Sequence, residues 1–212
     1  MSQNPEHLEG LNKKFFNRWA RFYDAGIIHR VYFEPLYQRI LVMLKDKIAS
    51  GTRFLDIACG TGEIIYRLAK ANPGAELLGV DFSAEMILKA RKKNVHLGNT
   101  RFAEANAISL PFIDATLDTV LCSEAFHHFV APEKVFQEVR RVLKPGGSFI
   151  LVDPAFNNKI WKGIATLVFK PIENACRYYS RTELENLLSA NGFVVRKSFT
   201  YHFNNFIVST KV

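Results

Sequence analysis

The chain is predicted to fold as a doubly wound α/β sheet, and three observations carry that expectation. Short apolar runs alternate with stretches of helical periodicity, the pattern of parallel strands covered on both faces. The run at 54–57 leads into Ala58-Cys59-Gly60-Thr61-Gly62, and the run at 77–80 delivers Asp81. A small-residue turn followed by an acid at the tip of the next strand is how doubly wound sheets hold a nucleoside. Two runs at the end of the chain, 193–199 and 206–210, lie close enough to pair as a hairpin.

Each element has a local reason. Residues 1–50 read as helices laid over the sheet, clearest at 32–48 and placed to act as a lid. The strand at 54–57 is followed by a helix over 63–71, with Ile64, Ile65 and Leu68 on one face and Asn72-Pro73-Gly74 to stop it. Ser83 is a natural N-cap for a helix over 84–93. Strands are expected at 100–103 and 117–122. Pro132 then opens a helix that buries Val135, Phe136, Val139, Val142 and Leu143, ended by Pro145-Gly146-Gly147. A strand over 148–152 follows. Ser180 and Glu183 have capping-box spacing for a helix closed by Gly192.

Composition narrows the function classes. A chain of 212 residues, 48% hydrophobic, suits one domain, and no apolar run approaches the roughly 18 residues of a membrane span. The polar N-terminus, holding Glu6 and Glu9, is unlike a signal or transit peptide, so a cytoplasmic protein is expected. Cys59, Cys122 and Cys176 are too scattered for a zinc site, and no metal is expected. The net charge is +8. Lys13, Lys14, Arg18, Arg21 and Arg30 form one basic cluster, and Lys159, Lys162, Lys170, Arg177 and Arg181 another, both interleaved with aromatics. Two readings stand: a solvated basic surface, or a patch for anionic membrane lipid or an acidic substrate. No nucleic-acid-binding motif accompanies the charge.

The glycine placement chooses among nucleosides. A dinucleotide loop needs G-x-G-x-x-G, and here those positions hold Ala58, Gly60 and Glu63. An acid at the helix start repels phosphate where the helix dipole should attract it. A cationic, phosphate-free ligand suits the loop better. The segment Asp56-Ile57-Ala58-Cys59-Gly60-Thr61-Gly62 resembles motif I of the class I S-adenosylmethionine-dependent methyltransferases, with Ala58 where that family most often has glycine. Ala105-Asn106-Ala107 with Leu110-Pro111-Phe112, Leu117-Asp118-Thr119-Val120 and Leu143-Lys144-Pro145-Gly146-Gly147 resemble three further signatures in the family's order.

The resemblance, which runs from about Arg53 to the C-terminus, implies a Rossmann-like sheet of seven strands. That sheet is mostly parallel, and an antiparallel C-terminal strand inserts to complete it. It implies one domain over 1–212: a helical cap over 1–50, a cofactor-binding half over 51–153, and a substrate-side segment with the hairpin over 154–212. S-adenosyl-L-methionine is the implied cofactor, held by Asp56, Ala58, Gly60, Thr61 and Gly62 of the loop and by Asp81, Phe82, Met86, Asn106, Ala107 and Ser123 beyond it. Asp81 would accept from the ribose hydroxyls, and Asn106 would accept from the adenine amino group or simply form a turn. Phe82 would lie against the adenine or pack in the core. Tyr23, in Phe22-Tyr23-Asp24, would close over the cofactor.

Ser123-Glu124-Ala125-Phe126-His127-His128 resembles the paired histidine of small-molecule methyltransferases of the ubiquinone/menaquinone type. His127 and His128 are the candidate catalytic residues, one as a general base and the other ordering the loop. His202 reads as a hairpin-turn residue. The expected acceptor is a small or lipid-like molecule: a quinone precursor, a phenol or a phospholipid headgroup. A non-catalytic binding module and a protein or RNA methyltransferase are the alternatives. An acceptor cavity filled by Trp161 or Phe169 would mark the module.

Overall fold

The computed structural model describes residues 10–14, 16–17, 29–155 and 177–212. Seven strands form one sheet: β1 (Arg53–Ile57), β2 (Glu76–Asp81), β3 (Thr100–Glu104), β4 (Leu117–Ser123), β5 (Leu143–Pro154), β6 (Phe193–Tyr201) and β7 (Asn204–Lys211). Their order across the sheet is β3-β2-β1-β4-β5-β7-β6. Strands β1 to β5 run parallel, and β7 inserts antiparallel between β5 and β6. The mostly parallel sheet with an inserted antiparallel final strand therefore stands as read.

Among the described residues, helices α1 (Glu34–Leu44), α2 (Glu63–Ala71), α3 (Ala84–Lys93), α4 (Pro132–Val142) and α5 (Arg181–Ala190) flank it. The alternating side chains of each strand feed two cores. Phe54, Leu77, Leu121 and Ile150 meet α1 and α2 on one face, through Ile40, Leu44, Ile65 and Leu68. Leu55, Leu78, Val120 and Phe149 meet α4 and α5 on the other, through Phe136, Val139, Leu184 and Leu188. The caps behave as their sequences dictate. Ser83 Oγ accepts from Met86 N, and Ser180 and Glu183 close a reciprocal capping box.

Three boundaries differ from the sequence reading. The helix expected over 32–48 is α-helical only over Glu34–Leu44, preceded by a π-turn at His29–Phe33. Pro35 fixes the start, since it sits at the first helical turn and has no N–H to offer. Leu143 is not the last residue of α4 but the first of β5, with ψ 138, although it is buried as expected. Pairing then jumps from Leu117↔Leu143 to Thr119↔Ser148, so the Lys144-Pro145-Gly146-Gly147 segment bulges from the strand. Gly146 takes φ 73 there. Lys144 Nζ to Asp118 Oδ1, 2.6 Å, ties the bulge to β4, and Asp118 Oδ2 accepts from Arg53 N. Asp118 thus holds strand ends together, at the edge of the sheet away from the cofactor loop.

Candidate active site

The sheet changes direction between β1 and β4, and in such sheets the ligand crevice opens beyond the carboxyl ends of those two strands. Two cavities meet there. The larger encloses about 870 Å³ and includes Asp81, Phe82, Asn106, Ser123, Glu124 and His128 in its wall. The smaller, about 350 Å³, is walled by Asp56, Thr61, Glu63, Phe33 and Tyr37 among others. Ala58, Gly60, Ser123 and Glu124 belong to both.

The loop after β1 needs left-handed backbone three times: Ala58 at φ 56, Gly60 at φ 53 and Gly62 at φ 72. Ala58 adopts it despite its Cβ, where glycine would be unstrained. Gly62 lines neither cavity. A Cβ there would sit 2.9 Å from Phe102 Cε1 and 3.1 Å from Ala90 Cβ, so this glycine lets α2 pack close to α3 and β3. We expect Gly62→Ala to destabilise the fold by more than about 1 kcal/mol in denaturant unfolding, through both the clash and the positive φ.

Asp81 accepts from Gly60 N and from Ser83 N, each at 2.9 Å. It therefore ties the β1 loop to the start of α3. Burial pushes its carboxyl up to about 6, against the pull of the N–H groups of Ser83, Gly60 and Phe82. Asp56 is 2% exposed, and its Oδ1 has no hydrogen-bond partner. Burial, and then the nearby Asp81, hold its carboxyl well above the usual range. Glu63 is held by Lys93 Nζ at 2.8 Å and Arg67 Nε at 2.7 Å. Burial would raise its carboxyl, but those hydrogen bonds prevail and lower it. Thr61 Oγ1 accepts from the same Lys93.

At the other end of the larger cavity, Asn106 Oδ1 accepts from Ile108 N at 3.2 Å, an Asx turn that still faces the cavity. The turn reading of Asn106 is thus what the geometry shows, at a residue that also lines the cavity. Phe82 is only half-buried and lines the cleft, with Met86 and Ala107 beside it. Residues 10–14 and 16–17 are helical and close over this end. Phe16 sets its ring edge-on to Phe82 at 5.9 Å and to His128 at 4.9 Å. Ser83 Oγ meets Asn17 Oδ1, and Lys13 pairs with Glu104.

The two histidines separate. His128 faces the larger cavity, while His127 lines neither. His127 is 6% exposed, and its Nδ1 lies 2.9 Å from Asp153 Oδ1 at the end of β5. Its ring stacks on Tyr178 and lies 4.0 Å from that of His128. Burial, with the neighbouring His127, pushes the His128 imidazole well below its ordinary value, so it stays neutral near pH 7.

Tyr23 lies outside the described residues, as do Trp161, Phe169 and, of the basic clusters, Arg18, Arg21, Lys159, Lys162 and Lys170. Among the described members, Lys13 is paired, Arg177 lies over the Tyr179 ring at 5.1 Å, and Arg181 is 3.5 Å from Glu185. His202 sits in the β6–β7 turn at φ 50. Asp153, Tyr32 and Phe16 were missed as site residues. Asp153 ends a strand on the ligand side, which was a readable signal. The other two reach the site only through packing. No helix among the described residues is long and apolar enough to cross a membrane.

A methyltransferase domain family matches residues 48–200. A demethylmenaquinone methyltransferase from Thermus thermophilus is 41% identical over 102 residues, 48% of this chain and 46% of that protein. One from Staphylococcus aureus is 31% identical over 178 residues, 80% of this chain and 71% of that protein. Among solved structures, a complex of the Haloferax volcanii Trm112 methyltransferase activator and a methyltransferase matches with TM-score 0.78 at 19% identity, covering 92% of this chain and 96% of the other. A SAM-dependent methyltransferase from Aquifex aeolicus matches with TM-score 0.71 at 19% identity, over 100% of both chains. The last two likenesses speak to the fold, while the family model and the Staphylococcus relative show the family; the chain spans less than half the length of the Thermus protein. With the strand order and the loop after β1, they establish that the chain belongs to the methyltransferase domain family, as a class I S-adenosylmethionine-dependent enzyme.

Proposed function

We propose that the enzyme methylates a ring carbon of a lipid-tailed quinol, of the kind for which its relatives from Thermus and Staphylococcus are named. The observation that carries this reading is His128, a neutral imidazole set in an apolar wall with Phe16 and Phe129 on the acceptor side of the cleft. A quinol hydroxyl would give up its proton to such a base, and the ring carbon beside it would take the methyl group as the methyl–sulfur bond breaks. That carbon's own hydrogen would then leave as a proton to restore the hydroxyl and the aromatic ring, one proton being released overall.

The site suits S-adenosylmethionine on its own chemistry. Asp56, in the wall of the smaller cavity, is a buried acid with an unpartnered oxygen, which an α-ammonium group would satisfy. Asp81 would take the ribose hydroxyls, Asn106 the adenine amino group, and Phe82 with Met86 the faces of the ring. When bound, the cofactor supplies a methyl group on a positively charged sulfur. The protein's own contribution is alignment in a cleft that residues 10–14 and 16–17 help shield from water, together with a proton acceptor. The basic, aromatic segments would bring the enzyme to anionic membrane, where a lipid-tailed acceptor resides.

The test is product analysis with the purified protein, S-adenosylmethionine and a demethylated naphthoquinol kept reduced, embedded in anionic or zwitterionic vesicles. The expected result is a methylated quinol with release of S-adenosylhomocysteine, faster in anionic vesicles at low salt. That advantage should vanish as the Debye length falls from about 10 Å at 0.1 M to about 3 Å at 1 M. Methylation of a phosphatidylethanolamine headgroup, with the quinol untouched, would overturn the proposal.

A further inference from the structure

Glu124 lies in the wall shared by both cavities, and the fold fixes its position. Its backbone takes φ 54, a conformation that costs a non-glycine residue of order 1–3 kcal/mol and persists only where the surroundings over-determine it. Two contacts do so. Glu124 N donates to Val152 O at 2.9 Å, and Tyr32 Oη donates to Glu124 Oε2 at 2.8 Å. Burial and the Glu124 charge push the Tyr32 hydroxyl far above its ordinary value, so it stays a donor at every physiological pH. Asn204, 1% exposed, lies 3.2 Å from the same hydroxyl and fixes its place.

The result is an acidic residue held in the wall that the two cavities share. Asp81, Phe82 and Asn106 mark the nucleoside end in the larger one. Asp56, with its buried unpartnered oxygen, marks the amino-acid end in the smaller. A ligand spanning both must cross the residues they share: Ala58, Gly60, Ser123 and Glu124. In the cofactor, the sulfur is what lies between nucleoside and amino acid.

We propose that Glu124 is a specificity-determining residue that distinguishes the cationic methyl donor from its neutral demethylated product. This rests on the cofactor site as read above. A carboxylate in a poorly hydrated site attracts a sulfonium by Coulomb energy and offers nothing comparable to a neutral thioether. The attraction disappears once the methyl group has left, so Glu124 favours donor capture and product release. It does not by itself lower the barrier, because the charge it stabilises is largest in the ground state.

Calorimetric titration of S-adenosylmethionine and of S-adenosylhomocysteine, each into wild type, E124Q and E124G, tests this without an acceptor. Glutamine keeps the size and removes the charge. Glycine also removes it and is at ease at positive φ, so at least one variant should fold. Both variants are expected to lose roughly tenfold or more in affinity for the donor, the scale of one opposite charge at contact range. The product should bind each variant as it binds wild type, which also reports that the fold is intact. An unchanged donor-to-product ratio, or an equal loss for both ligands, would overturn the role. Wild type binding neither ligand would instead overturn the cofactor site.

Discussion

Replacing His128 by glutamine is expected to lower turnover by roughly 10²–10⁴-fold, the usual worth of a positioned general base, while leaving cofactor affinity nearly intact. The residue lines the larger cavity, and its carbonyl accepts from Asn12 Nδ2 at 3.4 Å, which steadies the turn that carries it. Its depressed basicity sets the pH dependence. A rate that needs neutral imidazole should show its acid limb well below the ordinary value of 6.5 and be flat from there through neutrality. His127→Gln is expected to act differently. It loosens the contact with Asp153, whose other oxygen, Oδ2, is also buried without a partner. A stability loss of about 1–3 kcal/mol should result, with a smaller effect on turnover. Single-turnover rates and unfolding curves for both variants separate the two roles. Near-wild-type turnover in both would show that alignment alone drives the reaction.

Asp81→Ala should have a comparable effect on binding. Each charge-assisted hydrogen bond lost from the ribose removes about 1.5–3 kcal/mol, at least about tenfold in dissociation constant. The variant also strips Gly60 N and Ser83 N of their acceptor, so the loop that should cradle the ligand loosens as well. Calorimetry at pH 7.5 gives the affinity directly, and an unchanged value would remove Asp81 from the ribose. Wild type carries an internal check. With the Asp81 carboxyl raised to about 6, cofactor affinity should weaken as pH falls through that value, because protonation removes the ionised acceptor. Stability of the ligand-free chain runs the other way. A raised carboxyl contributes stability that is full below the ordinary value of 3.8 and is lost as pH rises through about 6. Asp81→Asn keeps one acceptor oxygen and sets its amide NH2 against the other N–H, so it should cost affinity and some ligand-free stability as well.

Much of this was legible in the residues. The small residues after β1, the acid nineteen positions beyond Gly62, the capping box at Ser180 and Glu183, and the closing hairpin are local signals whose chemistry does not depend on distant partners. They sufficed for the layers of the sheet, for the family, and for nine of the twenty residues around the larger cavity. Local signals erred where two elements compete for one residue. Leu143 satisfies the apolar period of α4, but its pairing with Leu117 draws it into β5.

Tertiary structure alone decided how the candidate residues divide. Adjacent histidines are indistinguishable in a sequence, because only the path of the chain sets which ring meets Asp153 and which meets the cleft. Gly62 looked like a ligand-facing glycine until the packing of α2 against α3 and β3 accounted for it. Tyr32 lies 92 positions from Glu124 and 172 from Asn204, so no period or motif joins them. Sequence determines what a short stretch can be, since propensity, capping and turn chemistry act over a few residues. Which groups share a desolvated cavity depends on the closure of the whole sheet, and that closure is what sets the charge state of Asp56, Asp81 and His128.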